Sequence, residues 1–230
     1  MYLKICIFGL LFFIYCFIGW SLESIKTLID TKRFVNRGFL IGPLCPIYGF
    51  CGLLIVFLLR KYVNDIITLF VLSVVICSIV EYFTSYIMEK IFKLRWWDYS
   101  NRKYNVEGRI CLTNLAAFGI LSVIIVHYFN PFILHLITSL PDGVIKCLFT
   151  IIFCLFAIDV ILSYEIITKI SETAMSIRKD STEEITAKVR NILVKKGGLY
   201  DRINKSFKFA ATEKMAEEIS SNRKKKKSKK

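Results

Sequence analysis

The chain returns repeatedly to apolar runs that are long enough, or nearly long enough, to cross a bilayer. They extend from about Ile5 to Ile29, Leu44 to Leu59, Ile66 to Met88, Cys111 to Phe129 and Val144 to Ile167. Lipid offers no partner to backbone N–H and C=O groups, so a segment of this kind crosses as a helix of roughly 20 residues that satisfies its own backbone. The expected fold is therefore all-α: a polytopic membrane protein with about five transmembrane helices and a cytoplasmic helical, basic C-terminal tail. Composition agrees, since 55% of the 230 residues are hydrophobic, the mean hydropathy is +0.53 and only four are proline. That balance excludes a disordered chain, a collagen-like repeat and an ordinary soluble enzyme.

Local features refine the spans. The second run is the shortest, and its Gly42, Pro43, Pro46, Gly49 and Gly52 predict a helix that enters irregularly and packs closely on its neighbours. The first run is too long for a secretory signal peptide and shows no small-residue cleavage site. Phe132–Leu140 is apolar but too short to span, and it reads as an interfacial segment.

The net charge of +14 sets orientation. Lys32, Arg33 and Arg37 follow the first span, Lys90, Lys93, Arg95, Arg102, Lys103 and Arg109 follow the third, and the tail is basic throughout. The opposite side has Lys4, Arg60 and Lys61, and its Phe129–Gly143 loop carries no Lys or Arg. By the positive-inside rule the tail and the two longer loops are expected in the cytoplasm and the N-terminus outside, in the cell membrane. From Lys169 onward there are 18 basic and 8 acidic residues, a net +10, which leaves +4 for the membrane part. The expected organisation is a bundle at 1–167, an amphipathic helical tail at 168–222 and a disordered polybasic end at 223–230. Ser181-Thr-Glu-Glu184 is a capping-box pattern for a helix in that tail. Membrane lipids are the expected partner of these charges; nucleic acid is not.

The sequence offers little conventional chemistry. Cysteines at 6, 16, 45, 51, 77, 111, 147 and 154 lie almost entirely in apolar runs without a C-x-x-C, and they read as small packing residues. His127 and His135 read as interfacial. No phosphate-binding loop, nucleophile elbow or zinc motif is present, so no catalytic residue, cofactor or metal site is assigned.

Charged residues at membrane depth are therefore the candidates, because each costs at least about 2.5–3.5 kcal/mol unless it has a partner or a purpose. Glu23 has Lys26 one turn on, and an intrahelical pair is as good a reading as a functional one. Glu81 follows a long apolar stretch, and Glu89, Ser85 and Ser78 share roughly its helix face. Asp159 lies midway along the last span. The two basic loops supply Asn36 and Arg37, then Arg95, Trp97, Asp98, Asn105 and Arg109. An aromatic belt accounts for part of this pattern. Both loops also place Asn, Gly and Arg just before a new span, as in Asn36-Arg-Gly38 and Asn105-Val-Glu-Gly-Arg109, which suggests a weak internal repeat of a helix, a loop and a helix. That repeat predicts that Arg37 and Arg109 approach Glu23, Glu81 or Glu89.

Several dense motifs occur together: Gly19-Trp-Ser-Leu-Glu23, Phe34-Val-Asn-Arg-Gly-Phe-Leu40, Gly42-Pro43, Cys45-Pro-Ile-Tyr-Gly-Phe50, Glu81-Tyr-Phe-Thr-Ser-Tyr-Ile-Met-Glu89, Trp97-Asp-Tyr-Ser100 and Gly108-Arg-Ile-Cys-Leu112. From about Phe17 to Pro131 the chain resembles the bacterial CmpB-like family of type IV ABC-transporter permeases. The resemblance implies a transport component that works with a separate ABC ATPase subunit, and with another permease chain or a second copy of itself. On that reading the acids with Arg37 and Arg109 line or gate a polar pathway. One alternative is a membrane-embedded enzyme or lipid-headgroup-binding protein with an acid and arginine site at the cytoplasmic face. The other is a non-catalytic membrane scaffold or sensor.

Overall fold

The fold is given by a computed structural model that describes residues 1–32, 34, 36, 38–92 and 95–179, with the backbone alone for residues 30, 31 and 170–179. Its helices are α1 (Tyr2–Thr31), α2 (Pro46–Leu58), α3 (Ile66–Phe92), α4 (Leu112–Ile124), α5 (Asn130–Thr138) and α6 (Asp142–Lys179). A small antiparallel pair, β1 (Asn105–Val106) and β2 (Ile110–Cys111), precedes α4. Arg37 lies outside the described residues, as do all the features expected from residue 181 onward, including the capping box and the polybasic end.

Among the described residues, four helical stretches are long and apolar enough to cross a membrane: Tyr2–Ile29, Ile66–Phe92, Leu112–Thr138 and Asp142–Lys169. The second apolar run differs from the other four. Its helix has 13 residues and so rises about 20 Å, against a hydrocarbon core of about 30 Å. The cause is local: the chain stays non-helical until Pro46, whose fixed φ and missing N–H suit the first helical turn.

Phe132–Leu140 also departs from expectation. Instead of a separate interfacial segment, Asn130–Thr138 continues the fourth span through a π turn at Ile125–Phe129. The wider turn admits Pro131 at the start of α5 without ending the helix. Tyr15 donates to Asn130 Oδ1 at 2.8 Å beside that turn. His127 contacts the carbonyls of Val123 and Val63 at 3.0 and 2.9 Å, so it ties the span to the connection before α3.

α1 and α2 pack backbone to backbone. A Cβ on Gly49 would strike Cys16 and Phe12, and one on Gly52 would strike Tyr15, which is the close approach that small residues permit in membrane helices. The Cys45 amide donates to the Cys16 carbonyl at 3.0 Å and locks the entry of α2 onto α1. One core cluster joins α1, α5 and α6 around Leu11, Tyr15, Ile133 and Ile145, and another joins α2, α3 and the α4 span around Ile55, Leu69 and Cys77. A third gathers Phe39, Phe92, Trp96 and Ile167. It brings both long loops and the late part of α6 to one end of the bundle. α6 passes through Thr168 without a break and runs to Lys179.

Candidate functional site

At this loop-bearing end, the segment after α3 folds back as a hairpin. Val106, Glu107, Gly108 and Arg109 form its turn, with Glu107 and Gly108 at φ 52° and 67° and the Arg109 amide donating to the Val106 carbonyl at 2.9 Å. Two consecutive positive φ values give the twist that matches paired strands. The turn returns Arg109 to the flank of α3, where the chain buries it at 8% exposure. There its guanidinium meets Glu89 Oε2 at 2.7 Å, Ser85 Oγ at 3.3 Å and Glu107 Oε2 at 3.5 Å. It also lies over the rings of Tyr82 and Tyr86, which adds a cation–π contribution.

Arg95 reaches the same Glu89 oxygen at 3.3 Å, Asp98 at 3.6 Å and the Glu107 carbonyl at 3.2 Å. Trp97 Nε1 donates to the Arg109 carbonyl at 2.9 Å. Asp98 accepts from the Ser100 amide at 2.9 Å and from its hydroxyl. Asn105 accepts from the Gly108 amide at 2.9 Å and donates to the Arg102 carbonyl at 2.7 Å. Glu89, Arg95, Trp97, Asp98, Asn105 and Arg109 thus form one network around the hairpin.

Glu81 lies two turns earlier on α3 and is 4% exposed. Tyr99 descends from the hairpin and donates to Glu81 Oε1 at 3.4 Å. Burial, and then the carboxylates of Glu81 and Glu23, push the Tyr99 phenol well above its ordinary range, so it stays a donor. Glu81 Oε2 is buried without a hydrogen-bond partner among the described residues. Glu23 on α1 is held by Tyr48 of α2, whose hydroxyl donates at 2.7 Å, and not by an ion pair to Lys26. Glu23 and Glu81 therefore each have a tyrosine donor.

The other loop is built differently. Asn36 is 6% exposed; its Oδ1 accepts from Trp20 Nε1 at 2.6 Å and from the Gly38 amide at 3.2 Å, and its Nδ2 donates to the Ile41 carbonyl at 3.0 Å. Asp159 of α6 then accepts the Ile41 and Gly42 amides at 3.0 and 2.9 Å, and Ser163 adds a hydroxyl to the same group. Asp159 is thus a backbone clamp for this loop.

Reading the sequence alone misses Tyr48, Ser163 and the ion pair of Glu107 with Arg109. Ser163 has a usable signal, the i,i+4 spacing from Asp159 inside an apolar run. Tyr48 sits within the Cys45–Phe50 motif but looks like any aromatic near a membrane surface.

Residues 10–164 match the family described as "Putative ABC-transporter type IV". The chain belongs to this CmpB-type ABC-transporter family. No curated protein and no solved structure matches the chain. The family segment reaches beyond the Phe17–Pro131 range of the recognised motifs and includes Glu23, the hairpin network and Asp159, so every described candidate residue lies within the ABC-transporter-related part.

Proposed function

We propose that this chain is the permease subunit of an ABC transporter. Family membership makes it ABC-transporter-related, and the observation that carries the narrower reading is the anchoring of both long loops. Each loop is bonded through side chains to a long apolar helix: residues 38–42 to α6 through Asp159, and the hairpin to α3 through Glu89 and Glu81. A force on either loop would therefore pass into the bundle instead of being absorbed by slack chain.

In this reading a separate ATPase docks on the loop-bearing end, and a second permease chain or a second copy completes the pathway. Glu23, Glu81, Glu89, Arg37, Arg109 and Asp159 line or gate it. The loop-bearing end faces the cytoplasm, α2 serves as a fifth, short crossing, and the N-terminus lies outside. Residues 1–167 are the bundle, 168–222 a cytoplasmic helical tail, and 223–230 a polybasic end that meets anionic lipid. The alternative of a headgroup-binding or catalytic site is weaker, because Arg95 and Arg109 already have carboxylate partners.

The decisive experiment is purification of the full chain in mild detergent and identification of what accompanies it. An ATP-binding-cassette ATPase in the complex is the expected result, and its absence overturns the assignment. Compartment-specific reporters on the two ends test the topology: a cytoplasmic N-terminus would rule out the five-crossing arrangement.

A further inference from the structure

Two cysteines meet where α2 packs on α3. Cys51 of α2 and Cys77 of α3 are free thiols, and they share a hydrogen bond. Cys77 is 4% exposed within the cluster that joins α2, α3 and the α4 span, and Cys51 packs against it. Both line a space of about 40 Å³ between these helices, whose other walls include Ile55, Phe118 and Leu121. The Ser122 hydroxyl reaches the Cys77 sulfur from α4. Glu81 lies one turn beyond Cys77 on the same helix face and acts electrostatically on both thiols.

Paired thiols in an apolar wall select for softness. Hard cations such as calcium and magnesium need a shell of oxygens that this wall does not offer, and a structural zinc ion takes four ligands where two sulfurs stand here. Thiolate sulfur favours monovalent copper and its relatives. Such an ion is satisfied by two sulfurs in line and carries no water shell, so an apolar wall does not exclude it. Metal binding displaces a thiol proton. One monovalent ion in and one proton out leave the charge of the pocket unchanged, which avoids the cost of a new net charge in apolar surroundings. Glu81 adds negative potential from a distance and takes no part in the coordination.

We propose that Cys51 and Cys77 form a two-sulfur site for a soft monovalent metal ion of the Cu(I) and Ag(I) class, bridging α2 and α3. The site does not rest on the permease assignment.

The purified full chain in detergent, kept reduced and anaerobic, is titrated with Cu(I) against bicinchoninate, whose colour reports the copper it retains. No ATPase is present, so this result and that of the copurification are independent. C147S and C154S first remove the two exposed thiols of α6. One equivalent of Cu(I) should stay with the chain, and X-ray absorption should show two sulfur neighbours. C51A and C77A should each weaken binding by more than the roughly 10–100-fold that loss of an outer-shell partner costs. C6A, in the separate cluster of α1, α5 and α6, should leave it unchanged. Undiminished retention in C51A and C77A overturns the site, as does an ion bound through nitrogen and oxygen or no retention with both cysteines in place. X-ray absorption needs no substitution at 51 or 77, so the coordination is read even where an alanine variant fails to fold.

Discussion

The two loops at the shared end of the bundle do the same job by opposite means. The loop between α1 and α2 has its described part fixed from a distance: Asp159, more than a hundred residues away in sequence, clamps the Ile41 and Gly42 amides. The hairpin between α3 and α4 is fixed locally, by an ion-pair network that shares Glu89 and by its own positive-φ turn. Both use an asparagine that accepts a nearby glycine amide, Asn36 with Gly38 and Asn105 with Gly108, so the proposed repeat has one structural counterpart. The repeat's arginine prediction holds for Arg109, which reaches Glu89. The first loop therefore reports the position of α6, and the hairpin reports that of α3.

Removing Arg109 should have the largest effect. R109A deprives Glu89 of its 2.7 Å partner and empties a buried site beside Ser85 and Tyr86. Breaking a buried, hydrogen-bonded charge pair costs about 3–5 kcal/mol, reduced here toward about 3 because Glu89 is partly exposed and keeps Arg95. A fall in unfolding temperature in detergent, with proteolysis appearing at the hairpin first, is the measurement. D159A comes next. It removes two charge-assisted amide bonds at about 1–2 kcal/mol in total after relaxation, and limited proteolysis should then speed up between α1 and α2 with the hairpin unchanged. Equal loosening of both loops in either variant would dissolve the contrast between distant and local anchoring.

Much of this end was legible in the sequence as membership, and little of it as partnership. The acids at Glu23, Glu81, Glu89 and Asp159 stand out because lipid penalises them, and Gly49 and Gly52 mark close packing because little else explains glycine in an apolar helix. Their partners do not stand out. Asp159 holds backbone amides, which have no sequence identity, and the clamp spans a separation that no local pattern covers. Glu23 pairs with Tyr48 on a neighbouring helix, not with the nearer Lys26, because helix packing and not spacing decides which donor arrives. The fourth apolar run reads as ending near Phe129, yet a π turn lets the helix continue through Asn130–Thr138.

The hairpin turn offers a smaller and more local perturbation. Gly108 has φ +67°, and a Cβ there would meet Asp98 and Ser100. G108A should cost about 1–2 kcal/mol, about 1 from the backbone and the rest from the displaced side chains. Loss of the Arg109 contacts should accompany it, so hydrogen exchange at residues 98–109 should rise while that of residues 38–42 stays constant.

Arg95 is the finest probe of the network, because it shares an oxygen with Arg109. Its side chain is 27% exposed, and its contact with Glu89 is longer, 3.3 Å against 2.7 Å. Alone, R95A leaves Glu89 with its better partner, so the loss should stay under about 1 kcal/mol and shrink further at high salt. In an R109A background the same substitution removes the second of the two arginines bound to Glu89, and its cost should rise by about 1 kcal/mol. A double-mutant cycle in detergent measures that difference directly. Additive effects would mean that the two arginines act independently, and the hairpin would then be held by its backbone turn and not by a shared carboxylate.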